Sequence, residues 1–253
     1  MLRLWDSPLA RPTRDVDFLG RLPASEQALA AIVKQCFATD VRDDGLRLDP
    51  KSVRAEAIRL AARYEGIRIR FVLYLGKIRL PMQVDVGFGD TVIPDPTWVE
   101  FPPLLDFPAP RVLAYPPESA VAEKFQTMVE RDVANSRMKD FYDIWTLARR
   151  REFTGDVLTR AIAATFKQRR TPLPTTPPIA LTAKFADDRN KQAQWRAFVS
   201  RARLGLGEHK LGEVVALLRD FLMAPTIAAA GDGTLGSSWP PGGPWQKSPG
   251  RRP

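Results

Sequence analysis

Apolar and polar residues alternate along much of the first half of the chain, as half-buried β-strands require. Gly76 and Lys77 separate the two longest alternating runs, which predicts a β-hairpin. The pattern predicts strands over residues 15–19, 46–49, 53–60, 67–75 and 78–88. This part of the chain is therefore predicted to form a sheet.

Apolar residues at three- and four-residue spacing mark one face of a helix in six further segments. One helix is predicted to open at Ser25 and to end before Asp40, between the first two strands. The other helices are predicted over residues 118–131, 137–150, 156–168, 190–204 and 211–223. The order predicts an α+β fold, with a mixed sheet and helices first and a helical C-terminal region after it.

These patterns divide the chain into three predicted segments. Residues 1–115 are predicted to form an α/β core, and residues 116–224 are predicted to form a helical region. Residues 225–253 are rich in Gly, Pro and Ser and are predicted to be disordered.

The composition is that of a globular protein, with 44% hydrophobic and 26% charged residues among 253. No apolar run approaches the ~18 residues of a membrane span, so no membrane partner is expected. Cys36 is the single cysteine, which precludes an intrachain disulfide and fits a cytoplasmic location. One Cys and one His cannot form a zinc site, and no P-loop, GxSxG or Rossmann fingerprint occurs.

The formal net charge of +9 and the pI near 10 favour association with phosphate-rich partners, mainly nucleic acid or nucleotide. Part of this charge lies in the last seven residues, which include three basic side chains. The charge therefore permits an RNA partner without requiring one.

Asp15 and Asp17 lie on one face of the first predicted strand, whereas Val16 and Phe18 lie on the other. The two Asp Cα atoms are about 6.5–7 Å apart at a rise near 3.3 Å per residue, close enough to share one or two divalent cations. Asp85 has the same setting on the strand predicted over 78–88. A D-x-D sequence is common by chance, and a solvated edge strand is the alternative interpretation.

Lys124 falls within the apolar stripe of the helix predicted over 118–131. A lysine there must extend to solvent, pair with an acid, or contact a ligand phosphate. Asp140 and Asp143 form an i, i+3 pair at the border of the next helix's stripe. They could pair with Lys124 or Arg137, order a metal shell or act as a base; a partly buried salt-bridge network is the structural alternative.

Three carboxylates and a lysine make a coherent set for phosphoryl transfer. Mg²⁺ takes oxygen ligands and keeps substrate phosphates in its shell. Two metals held by three acids can activate an attacking hydroxyl and stabilise the leaving pyrophosphate. A lysine near the triphosphate offsets the developing charge.

Four motifs in this order and spacing resemble the AbiEii/AbiGii nucleotidyltransferase toxins of the polymerase-β-like superfamily. The resemblance covers residues 1–223 and implies a nucleotidyltransferase fold with a helical C-terminal region. The motifs are Arg11-x-Thr13-x-Asp15-Val16-Asp17-Phe18, Gln83-Val84-Asp85-Val86-Gly87-Phe88-Gly89-Asp90, Tyr115-Pro116-Pro117-Glu118 with Glu123-Lys124, and Arg137-Met138-Lys139-Asp140-Phe141-Tyr142-Asp143.

The resemblance also implies roles for individual residues. Asp15 and Asp17 would bind Mg²⁺ or Mn²⁺, with Asp85 as the third acid, and Lys124 would contact nucleotide phosphates. Asp140 and Asp143 would complete the site, with Asp143 among the catalytic residues. The predicted substrate-binding residues are Arg11, Thr13, Lys124, Arg137 and Asp140.

By the same resemblance, the chain would be a toxin of a toxin–antitoxin or phage-abortive system. It would transfer a nucleotide from an NTP to an RNA acceptor, with tRNA as the expected acceptor and an antitoxin protein as a possible partner. One alternative is a catalytically impaired protein that binds nucleotide, RNA or an antitoxin. Another is a metal-dependent nuclease, which shares the acids but gives Lys124 no triphosphate to contact.

The sequence departs from the superfamily pattern ahead of the first strand. The superfamily places a Gly-Gly or Gly-Ser turn there, at a helix N-terminus, where backbone N–H groups hold phosphate. Here Met1 falls inside what should be that helix, and residues 1–5 read as a severed helix end. We expect the true start to lie upstream; a product that lacks the turn would have impaired nucleotide binding.

Overall fold

The computed structural model describes residues 16–39, 43–61, 64–103, 105–202 and 210–247, without the side chains of residues 59–65. These residues divide into two compact units. The sheet unit comprises the described residues up to Asp90, and the helical unit comprises those from Thr91 onward. Together they confirm the α+β prediction, with a mixed sheet and seven α-helices among the described residues.

The sheet unit contains four strands and one helix. β1 is parallel to β4, whereas β4 and β3 and then β3 and β2 are antiparallel, so the sheet is mixed with the strand order β1-β4-β3-β2. Ser25 caps the helix as predicted, because its hydroxyl accepts a hydrogen bond from the Ala28 N–H at 3.2 Å. The elements are β1 (Val16–Gly20), α1 (Glu26–Ala38), β2 (Leu46–Ala61), β3 (Tyr64–Leu75) and β4 (Ile78–Phe88).

The alternation of apolar residues places one sheet face against α1. Leu29 of α1 joins a buried cluster with Ile67 and Ile69 of β3 and Val86 of β4, and Val84 packs against the same cluster. The predicted hairpin at Gly76 is confirmed, and Gly76 has a positive φ of 59°, which glycine adopts without strain. The other face carries Asp85, Arg68 and Arg70.

Two details of the sheet differ from the sequence prediction. β2 is a single strand with a register shift between Asp49 and Arg54, where the sequence predicted two strands. Val16 and Phe18 of β1 are 44% and 58% exposed, although their alternation predicted a buried face. β1 is an edge strand, and α1 packs against β2 and β3, so the described residues leave the apolar side of β1 uncovered.

The helical unit begins with a two-stranded hairpin that the sequence placed in the α/β core. β5 (Thr97–Glu100) pairs with β6 (Arg111–Ala114) and not with the four-stranded sheet. The segment before β5 is tied to the next helix, because the Ser119 hydroxyl accepts from the Ile93 N–H at 2.8 Å and donates to the Ile93 carbonyl at 2.9 Å. The unit boundary therefore lies after Asp90, whereas the sequence placed it after residue 115.

Helices with apolar stripes form the core of the helical unit. Phe125, Phe141, Ile144, Leu218 and Phe221 are all fully buried in it. No helix in the part of the chain that the structure describes has the length and apolar character to cross a bilayer. The helices are α2 (Pro117–Arg131), α3 (Met138–Arg150), α4 (Gly155–Gln168), α5 (Ala183–Ala186), α6 (Arg189–Arg201) and α7 (Leu211–Ala230).

The prediction of disorder from residue 225 is wrong for residues 225–247, while residues 248–253 lie outside the described part. α7 continues through Pro225 to Ala230, and the next segment forms a small sheet with the order β7 (Phe153–Thr154), β8 (Ser237–Trp239) and β9 (Gln246–Lys247). Trp239 is 2% exposed, and its indole N–H donates to the Ala148 carbonyl at 2.7 Å. The Gly- and Pro-rich composition suggested disorder, but the buried tryptophan anchors this segment.

Candidate active site

The carboxylates of Asp17 and Asp85 lie on adjacent strands of the sheet unit. Asp17 of β1 is directly opposite Asp85 of β4 in the parallel register, so both side chains belong to the same sheet face. That face is the one opposite α1, because Val84 and Val86 face the helix. Asp17 is exposed, whereas Asp85 is 7% exposed. Asp15, Arg11 and Thr13 lie outside the described residues.

A row of charged residues continues across the sheet from these two acids. Arg68 of β3 is opposite Asp85, and Glu56 of β2 is opposite Arg68. The Arg68 guanidinium binds Asp85 in a bidentate manner: Nε donates to Oδ1 and Nη2 donates to Oδ2, both at 2.8 Å. Asp17, Asp85, Arg68 and Glu56 therefore form one transverse row, which we call the charged row.

Arg68 was not among the residues that the sequence identified. The available signal was the alternation of Ile67, Arg68, Ile69 and Arg70, which places two arginines on the polar face of a strand. Such an alternation predicts the face but not the cross-strand partner, since the partner depends on the register of β3 and β4.

A second charged cluster lies in the helical unit, where Lys124 of α2 meets two acids of α3. The Lys124 ammonium is 3.0 Å from Asp143 Oδ2 and 3.5 Å from Asp140 Oδ1. Arg137 Nε is 2.6 Å from Asp140 Oδ2. The side chains of Asp140 and Asp143 are each 1% exposed, and that of Lys124 is 25% exposed. The structure thus brings the four predicted residues together, with two cations facing two buried carboxylates, as the predicted pairing requires.

The loop before α3 positions this cluster. The Asn135 side-chain oxygen accepts from the Arg137 N–H at 2.9 Å, and Asn135 is fully buried. Lys191 of α6 donates from its ammonium to the Asn135 carbonyl at 2.8 Å, which ties the loop to a helix 56 residues further along the chain. Sequence reasoning missed Asn135 and Lys191, because only the fold places α6 beside this loop.

Glu118, which belongs to the third sequence motif, lies partly buried in the first turn of α2. Burial raises its pKa above the ordinary value, because desolvation disfavours the charged carboxylate. A backbone hydrogen bond and the charge of Arg151 partly oppose that increase.

We expect Glu118→Gln to change how the stability of the protein depends on pH. A raised carboxyl pKa in the folded state stabilises the protein fully below the ordinary value of 4.5, and this contribution is lost as pH rises through the folded pKa. Glutamine cannot ionise, so the variant should gain stability relative to the unmodified protein as pH rises from 4.5 through the folded pKa. Chemical denaturation across this range measures the effect. Glu152→Gln, which makes the same substitution at an exposed position, is the matched control.

The sequence of the chain matches the model of a known protein family. The class is that of the nucleotidyltransferases, enzymes that transfer a nucleotide to an acceptor. The chain belongs to the AbiEii family, described as "Nucleotidyl transferase AbiEii toxin, Type IV TA system", which matches residues 1–217. It is thus a nucleotidyltransferase of the toxin–antitoxin type, as the sequence motifs predicted.

Two solved structures from Helicobacter pylori are similar to the chain. The crystal structure of JHP933 has 13% identity and a TM-score of 0.45, with 91% of this chain and 81% of that chain covered. The other is described only provisionally as a nucleotidyltransferase; it has 12% identity and a TM-score of 0.37, with 91% and 83% covered. No curated protein matches the chain. The family assignment rests on the sequence match alone.

Proposed function

We propose that the chain transfers a nucleotide from a nucleoside triphosphate to an RNA acceptor, with tRNA as the acceptor and Mg²⁺ or Mn²⁺ as the cofactor. The observation that carries this proposal is the direct juxtaposition of Asp17 and Asp85 on adjacent strands of a nucleotidyltransferase family member. Carboxylates on one sheet face supply the hard oxygen atoms that such cations prefer.

The metal would be held by the carboxylates of Asp15, Asp17 and Asp85. The donor chemistry fits, because Asp17 is exposed beside Asp85 and both belong to one face. A bound divalent cation would supply activation of the attacking hydroxyl and charge stabilisation at the phosphates. Arg11 and Thr13 would bind substrate near these acids.

The cluster in the helical unit would act on the nucleotide. Lys124 is partly exposed and positively charged, and we assign it to the triphosphate. Asp143 and Asp140, which are buried, hold the lysine in place, and Asp143 is the candidate for proton transfer. Arg137 would help bind substrate from its position against Asp140.

The partners follow from charge and family. The net charge of +9 favours a polyanionic acceptor such as RNA. Membership of a toxin family makes an antitoxin protein a possible partner.

Incubation of the protein with labelled NTPs, tRNA and Mg²⁺ tests the proposal. Label should appear on tRNA, stop when EDTA removes the metal, and return when Mg²⁺ is restored. Asp17→Asn should lower transfer by at least about 100-fold, because a weakened cation site gives less charge stabilisation at the reacting phosphate. The conservative variant Asp95→Asn, at an exposed position in the helical unit, should retain transfer.

Two results would contradict this mechanism. Transfer that is undiminished in Asp17→Asn would show that Asp17 does not serve the reaction. Metal-dependent shortening of the RNA, in place of label incorporation, would instead identify a nuclease.

A further inference from the structure

Arg68 binds the predicted third acid of the site more completely than a single ion pair would. Its Nε and Nη2 atoms each donate to a different oxygen of Asp85 at 2.8 Å. With its amide oxygen oriented toward the guanidinium, Gln83 also accepts from Nε and Nη2 at 3.1 and 3.3 Å. Both Asp85 oxygens are thus engaged by one arginine whose side chain is 27% exposed.

Arg68 lies between two acids and binds one of them, Asp85, through the contacts described above. The charged row gives it an acid on each side, Asp85 on β4 and Glu56 on β2. Arg68 binds Asp85, on the side of Asp17, whereas Glu56 pairs with Arg70. The positive charge of Arg68 is therefore placed beside the two juxtaposed carboxylates.

Arg68 and a divalent cation would compete for the carboxylate of Asp85. An Asp85 oxygen that accepts one N–H can still bind a metal, but a cation at Asp85 would lie beside the positive guanidinium that both oxygens already bind, and the two like charges repel each other. The planar guanidinium fork matches the geometry of a carboxylate and of a phosphate equally well. An arginine displaced from Asp85 would therefore find an equivalent acceptor in a triphosphate.

We propose that Arg68 is a substrate-binding residue that exchanges partners. Arg68 binds Asp85 when no nucleotide is present. When Asp85 holds the cation, Arg68 binds a phosphate of the nucleoside triphosphate. In the first state Arg68 offsets the charge of the adjacent acids, and in the second it offsets part of the negative charge of the triphosphate. This inference rests on the proposed function, since it requires a cation at Asp85.

Two equilibrium binding measurements test the exchange without catalytic turnover. The first is the affinity for Mn²⁺ alone, followed by electron paramagnetic resonance. The second is the affinity for the α,β-methylene analogues of the four nucleoside triphosphates at saturating Mn²⁺. Arg68→Met should bind Mn²⁺ more tightly, because Asp85 is released, and should bind the preferred analogue about tenfold more weakly, because a charged hydrogen bond to phosphate is lost. These opposite changes are the signature of the exchange.

Arg70→Met is the matched control. Arg70 lies two residues along β3 on the same face, and its partner is Glu56. This variant removes the same side chain and should change neither affinity. Arg68→Lys keeps the charge but loses the planar fork, so its affinity for the analogue should fall between those of the unmodified protein and Arg68→Met.

Thermal unfolding of each variant accompanies the binding data. Equal weakening of both ligands in Arg68→Met would indicate damage to the sheet and would overturn the exchange. So would unchanged affinities in Arg68→Met when the unmodified protein binds both ligands. If the unmodified protein binds neither Mn²⁺ nor any analogue, the proposed function itself fails, and the role of Arg68 fails with it.

Discussion

Lys124→Met is expected to destabilise the helical unit by about 3–5 kcal/mol, which is the typical cost of removing one partner from a buried ion pair. Asp140 and Asp143 are each 1% exposed and would lose the ammonium that lies 3.5 and 3.0 Å from them. Nucleotide transfer should also fall by about 100- to 1,000-fold, because the proposed contact to the triphosphate is lost. Chemical denaturation and the tRNA labelling assay measure the two effects.

A second substitution separates the structural role of Lys124 from its proposed catalytic role. Replacing a buried ion pair with apolar residues is often neutral for stability, so Lys124→Met with Asp143→Leu should recover part of the lost stability. The double variant should remain inactive. Lys167→Met, at an exposed position of α4, should affect neither property. If Lys124→Met transferred nucleotide at the full rate, Lys124 would have no role in the reaction.

Trp239→Ala is expected to destabilise the helical unit by about 3–5 kcal/mol, as large aromatic truncations in a core do. The Trp239 ring lies 5.0 Å from that of Phe221 and 5.5 Å from that of Trp245, measured between centroids. The substitution also leaves the Ala148 carbonyl at the end of α3 without the indole N–H. Denaturation followed by far-UV circular dichroism measures the loss.

Trp98→Ala is the matched control for this prediction. Trp98 is a tryptophan of the same unit, but it is 62% exposed on β5. Its truncation removes little buried area, so stability should change by less than about 0.5 kcal/mol. Equal stability of both variants would show that the segment after α7 contributes nothing to the core.

Much of the fold could be predicted from local pattern. The β3–β4 hairpin followed from alternation and Gly76, and the helices from α2 to α4 followed from apolar spacing. Lys124 was singled out because a charge within an apolar stripe needs a partner, and the acids of α3 are that partner. These inferences succeeded because the required information lies within one element or two neighbouring ones.

Other features depended on long-range pairing. The prediction of disorder after residue 225 was wrong because it relied on Gly and Pro content. Trp239 of this segment is buried in the core of the helical unit, and Trp245 is partly buried against it. The boundary between the two units lies after Asp90 because Ser119 of α2 hydrogen-bonds to the backbone of Ile93, which ties that segment to the helical unit. Composition carries no information about either contact.

The sequence by itself determined the chemistry of the site: carboxylates on strands, a lysine in an apolar stripe and the family motifs around them. Only the tertiary structure decided which of these groups meet. Asp17 is opposite Asp85, and Asp85 is opposite Arg68, because the register of three strands places them in one row. Side-chain direction is a local property of a strand, whereas register is set by the apolar face that the whole sheet buries.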